Sequence, residues 1–285
     1  MNSLSLPALA LVTGGGTGIG AAVVETLACL GITVLAVGRR AAPLADVVAR
    51  CTAVGARGSV VAVQADVSTP EGRAAVVAAV ERDATPLRYL VHNAAIFGPI
   101  KRLVDITPEE LHEAMAINVD GPIFLTSALV PRLRAAGGAR VLMISSGAAH
   151  SAIAHWGTYC ISKSALLMTG RLLNVELSGE GIAVGSVRPG VVDTPMQGQL
   201  REGDFPDRRR FVDLYEHRRH EDADRAVAGL DAPSRGIPPP SNGLDTAANV
   251  GRFIAWLLTE TESKEFSASE WDVRDASHHS RWTRE

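Results

Sequence analysis

Apolar and polar positions fall in alternating blocks along the chain. Short β-branched or aliphatic runs at 8–12, 33–37, 59–63, 87–91, 140–144 and 182–187 are each bounded by glycine, proline or charge. Between them, residues 19–30, 44–54, 70–82, 108–134 and 159–177 carry apolar side chains at helical spacing. Strand alternating with helix is the sequence form of βαβ units and predicts an α/β fold with a parallel sheet. Runs that are apolar throughout imply helices on both sheet faces. The expected architecture is one doubly wound domain over 1–285, binding ligands beyond the carboxyl ends of its strands. Residues 246–258 predict a last helix and 266–273 a last strand.

One segment breaks the rhythm. Residues 197–243 are rich in Arg, Asp, Glu and Pro, with Asp207-Arg208-Arg209-Arg210 and Pro238–Pro240 inside them. This is either a solvated helix pair with a linker or an inserted lid that folds over a ligand, since loops of this length are usually functional or disordered.

Composition narrows the function classes. The 285 residues are 46% hydrophobic and 21% charged, with a net charge of −3. That balance supports neither a nucleic-acid nor a membrane-surface partner. No run approaches the ~18 apolar residues of a membrane span. Three scattered cysteines (Cys29, Cys51, Cys160) suit neither a disulfide scaffold nor a thiolate metal site, and a reducing, cytoplasmic location is the simpler reading.

Chemistry begins after the first strand. Thr13-Gly14-Gly15-Gly16-Thr17-Gly18-Ile19-Gly20 leads from strand to helix. Glycine admits positive φ and close backbone approach, and a helix start offers free N–H groups to a pyrophosphate. About 20 residues on, where an acid would hold a ribose 2′-hydroxyl, the second strand ends in Val37-Gly38-Arg39-Arg40. Guanidinium there suits a 2′-phosphate and so NADP(H), with Arg39 the first candidate; Arg40 is equally an ordinary helix-start arginine.

Tyr159 and Lys163 stand four apart at the start of a predicted helix, which puts phenol and ammonium on one face. A neighbouring cation favours phenolate and is expected to lower the phenol's pKa. Ser146 ends the fifth strand 13 residues earlier, and Asn118 lies in the long central helix. Together with the T-G-x-x-x-G-x-G turn, this order and spacing resembles the short-chain dehydrogenase/reductase family over residues 8–275.

That resemblance implies a Rossmann-type fold and a catalytic tetrad of Asn118, Ser146, Tyr159 and Lys163, with Asn118 holding a proton-relay water. It implies cofactor contacts from the turn, from Asp66-Val67, from Asn93, Ala94 and Ala95 within His92-Asn93-Ala94-Ala95, and from Pro189, Gly190, Val192 and Thr194. His92 and Ala95 depart from the family's Asn-Asn-Ala-Gly. It implies a homodimer or homotetramer paired through the long helices, whose stripe here is Ile161, Ala165, Met168 and Leu172; that stripe also fits packing against the chain's own sheet.

Within the family, Ser145–Ala149, Trp156–Cys160, Asp193–Gln197 and 266–275 are similar to sepiapterin and benzil reductases. By that match Trp156, Met196, Gln197 and Asp272 join Ser146 near the substrate. Core packing is the competing role for Trp156 and Met196, and His150 and His155 read as loop or rim residues. The expected activity is NADPH-dependent reduction of a ketone or diketone, with no metal. The alternatives are a 3-oxoacyl-thioester reductase, a secondary alcohol dehydrogenase, or a non-catalytic dinucleotide sensor.

Overall fold

The computed structural model describes residues 7–227 and 243–283. Six parallel strands match the predicted runs: β1 (Leu9–Thr13), β2 (Thr33–Gly38), β3 (Val60–Gln64), β4 (Leu87–His92), β5 (Ala139–Ile144) and β6 (Ile182–Arg188). Helices α1 (Gly18–Cys29), α2 (Ala41–Ala53) and α3 (Pro70–Glu81) follow the first three strands. The sheet runs in the order β3-β2-β1-β4-β5-β6, closed at the β6 edge by a short ninth strand. The order reverses between β1 and β4, which opens a crevice at their carboxyl ends. The chain therefore adopts a Rossmann-type doubly wound fold.

Two apolar clusters fill the faces. One centres on α1 and the helix over Ala247–Thr259, with Val24, Leu27, Phe253, Ile254 and Leu257 buried; the other places Leu9, Leu11, Leu90, Leu125, Leu129 and Val141 under α3 and the helices after β4. Edge strand β3 departs from two-sided burial, with Val61 46% exposed.

The long helix expected over 108–134 is three pieces. Helix α4 (Pro108–Met115) opens with a capping box between Thr107 and Glu110. A π turn (Ala116–Asp120) follows, and α5 (Gly121–Ala135) completes the run. Periodicity cannot reveal one widened turn, because the apolar spacing either side of it stays helical. The stretch 108–135 also contains an 18-residue window of mean hydropathy 1.3, so one segment does reach span length by composition; half of that window is buried in the protein.

Beyond β5 come α6 (Gly157–Leu177), then β6, β7 (Val191–Asp193), α7 (Pro195–Glu202) and α8 (Arg208–Val227). Of the charged segment 197–243, residues 228–242 lie outside the described residues. Strand β8 (Leu244–Thr246) pairs with β7, and α9 (Ala247–Thr259) is the expected last long helix. The strand expected over 266–273 is shorter: α10 (Ser263–Ala268) takes Phe266 into the core, and β9 (Glu270–Asp272) pairs with β6. Helix α11 (His279–Trp282) ends the described chain.

Candidate active site

A cleft of about 870 Å³ opens over the carboxyl ends of β1, β2, β4 and β5. Its floor is the glycine turn. Gly14 adopts φ +66, where a Cβ would meet Asn93 Nδ2 at 2.7 Å. At Gly20 a Cβ would lie 2.2 Å from Gly14 O, so the turn folds onto the helix with no room for a side chain. Helix α1 starts with no side-chain cap and no acid in its first turn, which leaves its first N–H groups facing the cleft. Gly16, Thr17, Gly18 and Ile19 line it. Thr13 does not: its hydroxyl accepts from the backbone N–H of Asn93 (3.0 Å) and Ala94 (3.1 Å), clamping the end of β4 against β1. Asn93 Nδ2 donates to Thr13 O (3.0 Å) and Gly14 O (3.2 Å). Thr13, Gly20 and Asn93 thus shape the turn, a job that only the tertiary pairing of β1 with β4 reveals.

At one end of the cleft, Arg39 and Arg40 are exposed and have no ion-pair partner among the described residues. Gln64 Nε2 donates to Arg39 O (3.1 Å), which fixes the backbone there. Asp66 and Val67 line the same end, the Asp66 carboxylate accepting from Ser68 N (3.0 Å) and Oγ (2.7 Å). Ala94, Ala95, Pro189 and Thr194 also line the cleft, whereas Gly190 packs on Arg274 and Val192 is buried behind the wall.

At the inner end stand Tyr159 and Lys163 on α6, both buried. Lys163 Nζ donates to Ile144 O (2.7 Å) and lies 5.7 Å from the centre of the Tyr159 ring. Burial pushes the Tyr159 phenol up to about 12, with the Ser146 hydroxyl pulling the other way. Burial also brings the Lys163 ammonium down to about 8. The expected lowering of the phenol's pKa by the lysine therefore does not dominate: desolvation outweighs a cation that points to a carbonyl instead. Ser146 accepts from Ala148 N (3.2 Å), and the neighbouring Ser145 Oγ lines the cleft, buried and without a hydrogen-bond partner.

Asn118 sits in the π turn, fully buried. Its amide accepts from Ile96 N (2.9 Å) and donates to Ile96 O (2.9 Å) and Ser162 Oγ (2.9 Å). The side chain thus pins the loop after β4 to α6 and does not reach Lys163.

The substrate-side expectations divide. Met196 lines the cleft; Gln197 does not, and Gln199, half a turn further on α7, does. Trp156 is 6% exposed inside an aromatic cluster with Phe97, Phe205 and Phe211, so packing is its role. Asp272 is held by Arg274 (2.7 Å) and Arg188 (3.2 Å) and does not line the cleft. Burial would raise its carboxyl, but Arg274 and Arg188 hold it below the usual range. His150 bonds Glu270 (2.5 Å), away from Tyr159.

The residue that sequence reasoning missed is Phe97. Its ring stacks on Tyr159 at 4.5 Å and 19° and forms the cleft wall with Gly98 and Ile100. The signal was present: Ile96-Phe97-Gly98-Pro99-Ile100 is an apolar run within the loop at the carboxyl end of β4, and Phe97 is buried there in a separate aromatic cluster beside the cleft.

The sequence profile of the short chain dehydrogenase family matches residues 8–204. The chain belongs to the short-chain dehydrogenase/reductase family. It is 33% identical over 192 residues to human dehydrogenase/reductase SDR family member 4, spanning 67% of this chain and 68% of that one. It is 30% identical over 258 residues to versicolorin reductase 1 of Aspergillus parasiticus, spanning 89% and 90%. In fold it is similar to L-sorbose reductase from Gluconobacter frateurii, solved with NADPH and L-sorbose (TM-score 0.75, 24% identity, 94% and 95% covered). A short-chain dehydrogenase/reductase from Saccharomyces cerevisiae superposes with TM-score 0.78 at 22% identity over 98% and 100%. As a short-chain dehydrogenase/reductase the protein is an oxidoreductase of a family that uses nicotinamide dinucleotides. The uncapped start of α1, the side-chain-free Gly20 packing and the cleft volume fit such a cofactor.

Proposed function

We propose that this oxidoreductase is an NADPH-dependent carbonyl reductase acting on a ketone or diketone. The observation that carries the reading is Tyr159, buried in the wall of a cleft whose other end presents two guanidinium groups with no ion-pair partner among the described residues. The dinucleotide, when bound, supplies the hydride. Tyr159 donates its phenolic proton to the carbonyl oxygen as negative charge grows there; an alkoxide resembles hydroxide in basicity (water pKa about 16), so a phenol near 12 still transfers its proton downhill. Ser146 donates a hydrogen bond to the same oxygen, and the Lys163 ammonium, which would also hold the cofactor's ribose, supplies the proton that restores the phenol. A phenol that resists ionisation favours reduction over alcohol oxidation at neutral pH. Relatives whose names state this cofactor support it: an NADPH-dependent aldehyde reductase-like protein of Arabidopsis thaliana is 29% identical over 211 residues.

Among the described residues Arg39 and Arg40 have no carboxylate partner, which suits a 2′-phosphate. A charge-assisted hydrogen bond contributes about 1.5–3 kcal/mol, so NADPH should exceed NADH in kcat/KM by about 10- to 100-fold. Arg39→Ala should remove most of that ratio while leaving kcat/KM with NADH unchanged. A panel of diketones, pterins and acyl thioesters measured with both cofactors checks this; equal rates with NADH would overturn the cofactor assignment.

The lid and assembly readings also stand as proposals. Phe205 and Phe211, at the start of the charged segment, pack on Trp156 beside the cleft, which supports a cover over the substrate. Ile161, Met168, Leu172 and Val175 of α6 are 41–79% exposed, and Phe124 of α5 is 52% exposed. These side chains face away from their own sheet, which supports pairing of two copies along α5 and α6. Sedimentation of Met168→Glu should show a smaller species than the parent chain. Free thiols at Cys29, Cys51 and Cys160 fit a reducing, cytoplasmic setting.

A further inference from the structure

The opposite end of the sheet holds a second cavity. It measures about 160 Å³ and lies among the amino-terminal ends of β1, β4 and β5 and the last turns of α1 and α9. Strands of five or six residues at about 3.3 Å per residue separate it from the catalytic cleft by some 17–20 Å, so it is a distinct place. Its polar side chains include Arg88, Tyr89 and Arg140, and no Asp or Glu lines it.

Backbone irregularity creates this grouping. The β1–β4 ladder pairs Leu9 with Leu87 and then Ala10 with Tyr89, which skips Arg88. A bulge of this kind re-aims side chains, so two consecutive residues border one cavity. Tyr89 is in register with Arg140 on β5, which brings the second guanidinium beside the phenol.

The two arginines differ in what holds them. Arg140 donates to Leu257 O and Leu258 O (both 2.9 Å) and to Thr261, capping the carbonyl end of α9 and cancelling the negative end of its dipole. Its nearest acid, Glu265, is paired with Arg281. At the end of α1, Arg57 Nε takes Cys29 O at 3.0 Å. Arg88 has no such partner: its buried Nε makes no hydrogen bond, and its guanidinium has no ion pair among the described residues. The Tyr89 hydroxyl likewise has no hydrogen-bond acceptor there, and burial pushes its pKa up, so it stays a donor. A half-buried cation with a desolvated N–H and no counter-charge is costly unless an anion completes it.

We propose that this cavity is a binding site for a small oxyanion, the phosphate or carboxylate group of a metabolite, held by Arg88 and the Tyr89 hydroxyl with Arg140 supplying charge behind them. The volume equals about five water molecules at ~30 Å³ each, which admits a phosphate or a short carboxylate and excludes a nucleotide. The site is independent of the proposed reaction.

The test is thermal unfolding of the full chain in the presence of saturating NADPH, titrated separately with inorganic phosphate, succinate and, at matched ionic strength, sodium chloride. Phosphate or succinate should raise the Tm saturably, chloride should not, and Arg88→Gln should weaken the midpoint about tenfold, the value of one charge-assisted hydrogen bond. Which of the two anions acts at lower concentration assigns the headgroup. An equal response to chloride, no saturation, or an unchanged midpoint in Arg88→Gln overturns the proposal. So does loss of the response in Arg39→Ala/Arg40→Ala, which would put the anion in the cofactor cleft. If Arg88→Gln does not unfold cooperatively, Tyr89→Phe replaces it, with a weakening of about fivefold expected and an unchanged midpoint again decisive against the site.

Discussion

Tyr159→Phe lowers kcat by about 10²- to 10⁴-fold, the range that a positioned general acid contributes. The substitution removes one oxygen from a ring packed against Phe97 and Trp156, so the fold should survive. The Kd for NADPH, read by fluorescence quenching, should stay within about fivefold, the size of one neutral hydrogen bond. KM for the ketone should change little compared with kcat, because proton donation develops only as the carbonyl accepts hydride. Turnover that persists within tenfold of the parent would assign the proton to another donor, with Ser146 the nearest hydroxyl. The neutral phenol adds a directional expectation: alcohol oxidation should climb with pH above neutrality, while ketone reduction stays flat until Lys163, brought down to about 8, loses its proton.

The second large effect is on stability, at His92. The ring is 2% exposed and its Nε2 lies 2.7 Å from Thr126 Oγ1; burial brings its pKa down to about 3. In the unfolded chain the imidazole takes a proton below about 6.5. Between these values the unfolded state binds the extra proton, so stability falls as pH falls. The contribution is fully present above pH 6.5 and is lost by about pH 3. At ~1.4 kcal/mol per pH unit, about 3 kcal/mol is gone at pH 4.5. Urea unfolding at pH 7.0 and 4.5 should therefore show the parent chain losing about 3 kcal/mol more than His92→Asn. Equal losses would mean that the folded protein lets His92 ionise. The buried imidazole thus makes the centre of the sheet acid-sensitive.

The elements that could be read from sequence share one property: their signals are local. Apolar runs of five or six residues gave β1, β2 and β4–β6 because both faces of a central parallel strand are buried. The Gly-rich turn could be read because close backbone approach demands glycine at fixed spacing, and Tyr159 with Lys163 because four residues make one helical turn. What escaped was non-local. The π turn at Ala116–Asp120 leaves the apolar spacing intact. Phe266 belongs to a helix, where a short apolar tail looked like strand. Asp272 sits where an acid was expected, but Arg188 and Arg274 arrive from β6 and the chain beyond β9 to engage it.

By itself the sequence determined the doubly wound sheet, the place of the glycine turn, the absence of an acid at the end of β2 and the one-turn spacing of Tyr159 and Lys163. Each of these follows from spacing along a strand or helix. Tertiary structure alone decided that Phe97 stacks on Tyr159, that Trp156 packs behind the cleft, that Gln199 replaces Gln197 at its edge, and that Arg88, at the far end of the sheet, has no ion pair among the described residues. The physical reason is that partners and burial are set by residues 30 to 120 positions away. Burial reverses the sign of a pKa shift that a neighbouring charge alone would give, as it does at Tyr159.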